Sequence, residues 1–306
     1  MSGHFPKLKR LINRPTPIMT ETDSHLLESA LPAVEQAPLN LPTLGDKRVI
    51  AYRAAGDVRA PTIVLLHGIG SSSAGYRAQF AALSTSHRVI AWDAPGYGQS
   101  SPFAIRMPAA ADYADVLMAL LSALGISRAT AVGSSWGSVI AATFAARYPS
   151  ATHALVLSAP NVARGHLSGT ERNAAREVLI RSAAAQSPEA RAAVVNALVA
   201  PNAGPLVRAV VSRLRDAVTP KGWEHAVDML FSTYTPSVVS SIQASVSVII
   251  GNLDRVAPID DHARPIHEAA HDSTLHVLDA IGHMPKLEAP EAFNSIVLAA
   301  ATAGTD

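Results

Sequence analysis

Short apolar runs and segments of helical periodicity alternate along most of the chain. Residues 62–66 (TIVLL) form a continuous apolar run, which is typical of a strand buried on both faces of a sheet. Residues 108–124 show helical periodicity, which Gly125 ends. This alternation predicts a doubly wound, mostly parallel α/β sheet with helices on both faces. The predicted strands cover residues 48–54, 62–66, 88–92, 129–132, 154–157, 246–250 and 274–278.

The alternation changes between residues 161 and 236. This segment is rich in alanine and arginine, shows helical periodicity and contains no strand-like run. We expect about four helices there, forming a lid over the strand ends that excludes water from a substrate pocket. Residues 1–45 are rich in proline and predict an irregular N-terminal extension with one short helix at 24–36. The α/β core is then expected to comprise residues 46–160 and 237–306.

The stretch from residue 129 to residue 148 joins a predicted strand to a predicted helix through Gly133, Ser135 and Gly137. This G-x-S-x-G spacing is typical of a sharp turn that exposes a nucleophilic serine, because side chains at the glycine positions would collide. The register makes Ser135 the nucleophile. The backbone N–H of Trp136 then lies at the start of the helix, where it can face a developing oxyanion.

A serine hydroxyl needs a base and an orienting carboxylate to act as a nucleophile near neutral pH. His283 follows the last predicted strand and Asp254 follows the strand before it, so both lie at the same sheet edge as Ser135. The order Ser135, Asp254, His283 is the order that accompanies this type of elbow. The other acids near the strand ends fit less well. Asp93 lies in a turn that could need it structurally, Asp260 and Asp261 suit helix caps, and Asp279 is still within the strand–loop junction.

The loop at residues 67–70, with sequence HGIG, follows an early buried strand at the same edge. We expect the backbone N–H of Ile69 to be the second oxyanion donor, beside that of Trp136. Gly68 would let the loop backbone approach the nucleophile, because it has no side chain. Together the two N–H groups would stabilise the negative charge of an acyl-transfer transition state.

Aromatic side chains supply most of the candidates for substrate contacts. Trp223 and Tyr234 in the predicted lid, and the Trp136 side chain beside the nucleophile, are candidates to line a pocket. Apolar residues at helical spacing more often belong to a core, so both interpretations stand. His67 also has two interpretations, a substrate contact or a structural residue that bonds the carbonyls of its loop.

Five motifs occur in a fixed order along the chain: His67-Gly68, the D-x-P-G-x-G-x-S run from Asp93 to Ser100, the elbow at 133–137, Gly251-x-x-Asp254 and Gly282-His283. Through these motifs the chain resembles, from about residue 47 to residue 301, the α/β-hydrolase superfamily with a helical cap. The resemblance implies a two-step hydrolysis: His283 deprotonates Ser135, an acyl-enzyme forms, and a water activated by His283 releases the acid. A small-molecule carboxylic ester or a lactone is the expected substrate.

Several functions within and beyond this superfamily stay open. Ser-Trp-Gly-Ser at 135–138 resembles the elbow of proline iminopeptidases, which usually carry H-G-G-P-G where this chain has H-G-I-G-S. Carbon–carbon bond hydrolases of aromatic-ring degradation have a similar cap and layout, but they usually place methionine where this chain has Trp136. A non-catalytic ligand receptor with the same fold is a further alternative, against which the complete set of Ser, Asp and His argues.

Residues 267–271 read H-E-x-x-H, the signature of a zinc-protease helix. In that interpretation His267 and His271 would bind zinc from one helix face. The segment joins the two strands that carry Asp254 and His283, so its helix is expected to pack on a sheet face, away from the strand ends. We therefore expect no metal and no cofactor, and keep a zinc hydrolase as an alternative.

Composition limits the range of partners. The 306-residue chain has a formal net charge of +1 and no cysteine. The charge gives no case for binding nucleic acid or membrane lipid, and the lack of cysteine excludes disulfides and thiol catalysis. No apolar run approaches the roughly 20 residues that cross a bilayer, and the basic N-terminus lacks the apolar region of a secretory signal. We expect a cytoplasmic protein with a small-molecule substrate, and homo-oligomerisation stays open.

Overall fold

The computed structural model describes residues 9–16, 19–182 and 187–303. Nine strands within these ranges form one sheet. They are β1 (Lys9–Arg14), β2 (Glu35–Leu41), β3 (Gly45–Ala55), β4 (Thr62–Leu66), β5 (Arg88–Trp92), β6 (Ala129–Ser134), β7 (Thr152–Ser158), β8 (Val246–Gly251) and β9 (Ser273–Leu278). Their order is β1-β9-β8-β7-β6-β4-β5-β3-β2. β3 runs antiparallel to β2 and β5, and the other neighbours pair in parallel.

Helices cover both faces of this sheet. In the described ranges they are α1 (Glu21–Glu28), α2 (Arg77–Leu83), α3 (Ala110–Ala123), α4 (Trp136–Arg147), α5 (Gly169–Ser182), α6 (Pro188–Leu198), α7 (Pro205–Leu214), α8 (Pro220–Leu230), α9 (Thr235–Val239), α10 (Arg264–Ala269), α11 (Pro285–Glu288) and α12 (Pro290–Thr302). None of these helices is long and apolar enough to cross a membrane.

Strand β4 shows why the central strands are continuous apolar runs. All five of its side chains are buried. Ile63 and Leu65 pack in the hydrophobic core shared with α2 and α12, whereas Val64 and Leu66 pack in the core on the other face, with α3 and α4. Because successive side chains point to opposite faces, a strand with helices on both sides must be apolar throughout. The predicted fold class, a mostly parallel α/β sheet with helices on both faces, is confirmed.

The chain between β7 and β8 forms helices α5 to α9 in the described residues, where about four were predicted. We call the segment from α5 to α8 the helical insertion. Helix α9 spans Thr235–Val239 and so crosses the predicted boundary at residue 236. Helix α8 buries Val227 and Met229 in the same core as α3 and α4, because its apolar face points towards the sheet. The helical insertion is therefore packed onto the core through α8.

The N-terminal segment differs most from its prediction as an irregular extension. β1 pairs in parallel with β9 at one edge of the sheet, and β2 pairs with β3 at the opposite edge. The helix expected at 24–36 is α1 at Glu21–Glu28, where Thr20 caps the helix by accepting the Asp23 N–H at 2.9 Å. Both edge strands are held by backbone hydrogen bonds to one neighbouring strand. They therefore do not need apolar side chains on both faces, and their sequences lack such a run. Residues 1–8 of the basic N-terminus lie outside the described residues.

Candidate active site

Ser135 lies at the junction of β6 and α4. Its backbone adopts φ 53° and ψ −116°, which a residue with a side chain adopts only under constraint. The Ser135 N–H donates to the Ser158 carbonyl at the end of β7, at 2.8 Å. A Cβ on Gly133 would lie 2.4 Å from the Gly137 oxygen, and a Cβ on Gly137 would lie 2.4 Å from the Leu66 oxygen. The two glycines therefore permit the sharp turn that presents Ser135.

Gly137→Ala is expected to destabilise the fold by about 3 kcal/mol, because the new methyl group collides with backbone oxygens that cannot rotate away. For a chain of this size, the melting temperature should fall by about 10 °C. Gly204→Ala is the matched control, since an added Cβ there has no neighbour within 4 Å. Thermal unfolding followed by circular dichroism measures both variants. Equal melting temperatures for the two would contradict the close approach at the elbow.

A continuous series of hydrogen bonds joins Ser135, His283 and Asp254. His283 Nε2 lies 2.9 Å from Ser135 Oγ, and His283 Nδ1 lies 2.7 Å from Asp254 Oδ2. His283 and Asp254 are both buried. Because an ionised carboxylate only accepts hydrogen bonds, His283 Nδ1 donates to Asp254, and Nε2 of the neutral ring is free to accept the Ser135 proton. The structure thus brings together the three residues that the sequence predicts as a triad.

Backbone groups hold the acid and the base in these positions. Asp254 Oδ1 accepts the N–H groups of Val256 at 2.9 Å and Ala257 at 2.8 Å. The His283 N–H donates to the carbonyl of Leu198 in α6, at 2.8 Å. The orientation of His283 therefore depends on the helical insertion as well as on the sheet.

Glu288 organises the loop that carries His283, and sequence reasoning missed it. Its carboxylate accepts the backbone N–H groups of Gly282 (3.1 Å), Met284 (3.0 Å) and Ala200 (2.8 Å). Burial raises the pKa of Glu288, and these three hydrogen bonds oppose that rise. Its only sequence signal is an acid between apolar neighbours in the run KLEAP. Glu288 thus links the His283 loop to the loop that follows α6.

The loop at residues 67–70 lies against the nucleophile. A Cβ on Gly68 would lie 3.4 Å from the Ser135 Cβ. Helix α4 begins at Trp136, so the Trp136 N–H belongs to the first turn of the helix, which has free donors. Among the residues that the structure describes, none accepts a hydrogen bond from the N–H of Ile69 or Trp136. An oxyanion hole formed by these two N–H groups stays a prediction.

A cavity with an empty volume of about 520 Å³, part of it open to solvent, lies over Ser135 and His283. The helical insertion supplies one of its walls, through α6 and α7. Two cations, Arg215 and Lys286, also line the cavity, and sequence reasoning missed both. Its apolar lining consists of Ile69, Leu198, Val211, Leu214, Val256 and Met284.

His67 does not border this cavity, although the sequence made it a candidate for substrate contact. Its ring is fully buried, and Nδ1 lies 2.9 Å from the Gly68 oxygen. Nε2 accepts the Ala94 N–H at 3.0 Å, which leaves Nδ1 to donate to the Gly68 oxygen. Burial lowers the pKa of His67 to about 4, so the ring stays neutral near pH 7. The geometry therefore favours the structural interpretation, in which His67 shapes its own loop.

The other three candidates for substrate contact also lie off the lining of this cavity. The indole N–H of Trp136 donates to the Ala226 carbonyl at 2.9 Å, and that of Trp223 donates to the Leu179 carbonyl at 3.0 Å. Both indoles belong to the buried hydrophobic core, and the Trp223 indole bonds across to α5. Tyr234 is half-buried beside α9. None of the three rings lines the cavity at Ser135.

The H-E-x-x-H run does not form the helix face that a zinc protease needs. Helix α10 ends at Ala269, so His267 and His271 do not share a helix. His267 Nδ1 lies 2.8 Å from Ser273 Oγ at the amino end of β9, whereas Ser135, Asp254 and His283 follow the carboxyl ends of their strands. Within the described ranges, no group of three or more His, Cys, Asp or Glu side chains is arranged to hold a metal ion.

A family model described as the alpha/beta hydrolase fold matches residues 61–290. The chain belongs to the α/β-hydrolase family. This α/β-hydrolase is 26% identical over 248 residues to a 2-hydroxy-6-oxo-6-phenylhexa-2,4-dienoate hydrolase of Burkholderia cepacia, an alignment that covers 77% of this chain and 86% of that protein.

Two solved structures show the same architecture as this α/β-hydrolase. A hydrolase from Pseudomonas aeruginosa superposes with a TM-score of 0.75 at 25% identity and covers 88% of this chain and 99% of that one. The enol-lactonase from Burkholderia xenovorans superposes with a TM-score of 0.74 at 22% identity, with coverage of 88% and 100%. The fold and the hydrolases among the relatives identify the chain as a hydrolase. The named proteins, a dienoate hydrolase and an enol-lactonase, do not act on the same type of bond.

Proposed function

We propose that this α/β-hydrolase is a serine hydrolase that cleaves a small-molecule carboxylic ester or a lactone through an acyl-enzyme. The observation that carries the proposal is the hydrogen-bonded series from Ser135 Oγ through His283 to Asp254, with distances of 2.9 and 2.7 Å. The cavity opens onto Ser135, so a substrate carbonyl can reach the hydroxyl. The N–H groups of Ile69 and Trp136 have no acceptor among the described residues, which supports the same chemistry.

In the proposed reaction, Ser135 Oγ attacks the carbonyl carbon while His283 Nε2 takes the hydroxyl proton. The carbonyl oxygen becomes an oxyanion, which the N–H groups of Ile69 and Trp136 stabilise by roughly 3 kcal/mol each. His283 then returns the proton to the leaving alcohol. A water molecule, deprotonated by His283, attacks the acyl-enzyme and releases the acid and Ser135. Asp254 keeps the imidazole in the tautomer that these transfers need.

A carbon–carbon bond hydrolase is the second candidate. Two relatives from different bacteria favour it: the Burkholderia cepacia hydrolase named above, and a 2-hydroxy-6-oxononadienedioate hydrolase of Comamonas testosteroni that is 26% identical over 272 residues. The same serine and histidine would serve such a reaction, since its substrate also presents a carbonyl beside the bond that breaks. The two functions therefore differ in the substrate bond that is cleaved, and not in the catalytic residues.

The first experiment tests the nucleophile. A fluorophosphonate probe should label the purified protein at Ser135, and Ser135→Ala should abolish both the labelling and the hydrolysis of p-nitrophenyl esters. Ser138→Ala is the matched control, because Ser138 lies one helical turn away and its hydroxyl bonds to the Ser135 carbonyl. Retained labelling of the Ser135→Ala variant would overturn the assignment.

The second experiment separates the two types of bond. Aryl esters of graded acyl length and simple lactones are compared with 2-hydroxy-6-oxo-6-phenylhexa-2,4-dienoate, by kcat/KM. An ester or lactone preferred by more than tenfold supports the proposal. A preference of that size for the dienoate would assign carbon–carbon bond cleavage instead.

A further inference from the structure

Lys286 places a buried cation beside the nucleophile. It is the second residue of α11, three positions after His283, and it is 1% exposed. Its Nζ donates to Ser134 Oγ at 2.9 Å and lies 4.9 Å from the centroid of the Tyr76 ring. Among the described residues, no carboxylate forms an ion pair with it. Within the part of the chain that the structure describes, the partners of this Nζ in the cavity wall are one hydroxyl and one aromatic face.

Burying the Lys286 ammonium costs free energy when no anion is bound beside it. Removing an ammonium from water without a counter-ion is strongly unfavourable, and a hydroxyl with a cation–π contact offsets only part of that cost. Burial lowers the pKa of Lys286 to about 7, with no acid opposing the shift. A bound anion would supply the negative charge that balances the ammonium, and the cavity gives such an anion access to Lys286.

A second cation, Arg215, faces the same cavity from the end of α7. A Cβ on Gly70 would lie 2.7 Å from Arg215 Nη1, so the guanidinium lies against the loop beside Ser135. Burial and the neighbouring charge of Arg191 lower the pKa of Arg215. No aspartate or glutamate in the described residues lines the cavity. Two basic side chains and no acid of the described residues thus line walls that are otherwise largely apolar.

We propose that the substrate carries a free carboxylate, separated from the scissile carbonyl by a short apolar chain, and that Lys286 binds this carboxylate while Arg215 adds to its attraction. The inference rests on the proposed function and names its substrate class: a monoester of a dicarboxylic acid. Addition of water across the ester bond then yields the alcohol, the dicarboxylate and a proton. A carboxylate is favoured because Lys286 supplies a single positive charge, which one carboxylate balances.

The test compares p-nitrophenyl hydrogen adipate with p-nitrophenyl hexanoate, which differ by a carboxylate in place of a methyl group. After subtraction of the spontaneous rates, wild type should show a kcat/KM for the adipate ester at least about tenfold higher. Lys286→Met should lower the adipate-to-hexanoate ratio by about 30-fold or more, since the substrate carboxylate loses its buried partner. Arg215→Met should lower the ratio less, and Arg213→Met, which removes an exposed cation from α7, should leave it unchanged.

A thermal measurement keeps the inference testable without turnover. At pH 6, where Lys286 with its pKa of about 7 is mostly protonated, Lys286→Met should melt above wild type, because an ammonium without a counter-ion is gone. At the same pH, adipate should raise the melting temperature of wild type alone. If Lys286→Met melts below wild type, or if both esters react equally in wild type, the inference fails while labelling of Ser135 leaves the proposed function standing. If neither ester reacts and Ser135 is not labelled, the proposed function fails. The change in melting temperature on addition of adipate then still tests whether Lys286 binds a carboxylate.

Discussion

Replacing His283 with alanine is expected to lower kcat for an aryl ester by about 10⁶-fold, the size of effect that removing the base or the nucleophile has in a serine protease with such a triad. The reason is geometric. His283 Nε2, at 2.9 Å, is the group placed to take the Ser135 proton, and a serine hydroxyl without a base is a poor nucleophile. Steady-state kinetics at enzyme concentrations high enough to detect slow turnover measure the loss.

The double variant Ser135→Ala/His283→Ala should lose no more activity than either single variant, because the two residues act as one unit. His25→Ala is the control, since His25 lies on the exposed side of α1, far from the cavity. Independent effects that multiply in the double variant would show that Ser135 and His283 do not share a step. A loss of less than about 100-fold in His283→Ala would mean that another group serves as the base.

The central strands could be predicted because burial leaves a strong mark on sequence. A strand with helices on both faces has few positions for polar side chains away from its first residue, and the predicted bounds of 62–66 and 88–92 match Thr62–Leu66 and Arg88–Trp92. The candidate triad followed from these strands. In a parallel sheet the carboxyl ends share one edge, so residues that follow different strands come together despite being far apart in sequence.

The edge strands were missed because their stability does not come from side-chain burial. In β1 (KRLINR), the four central residues from Arg10 to Asn13 are exposed, and β9 holds the strand through backbone hydrogen bonds. β2 contains Pro38, which is compatible with an edge position but argues against a strand in sequence. Pairing of this kind depends on a partner strand that local patterns do not reveal.

The lining of the cavity was missed for a different reason. Aromatic side chains were natural candidates for a substrate pocket, but Trp136 and Trp223 are buried in the hydrophobic core, where their indole N–H groups bond to backbone carbonyls. Leu198 and Leu214 line the cavity instead. Which face of a helix in the helical insertion turns towards the cavity depends on packing between helices, which local sequence patterns do not reveal. Lys286 has no sequence signal at all, because a lysine is exposed by default.

Asp254→Asn is expected to lower kcat by about 10⁴-fold while leaving the fold intact. The structure shows why an isosteric change should have so large an effect. Asp254 Oδ1 accepts two backbone N–H groups, from Val256 and Ala257, so this side of the group must remain an oxygen. The amide nitrogen of the asparagine then takes the position of Oδ2, opposite His283 Nδ1.

An amide nitrogen donates a hydrogen bond, so His283 Nδ1 must accept it, and the ring proton moves to Nε2. In this tautomer Nε2 donates to Ser135 Oγ and cannot take its proton. The expected variant therefore has a normal melting temperature, a KM close to wild type and a kcat reduced by about four orders of magnitude. Asp261→Asn, at an exposed acid, is the control and should retain full activity. A loss below tenfold in Asp254→Asn would show that the tautomer of His283 is set by a group other than Asp254.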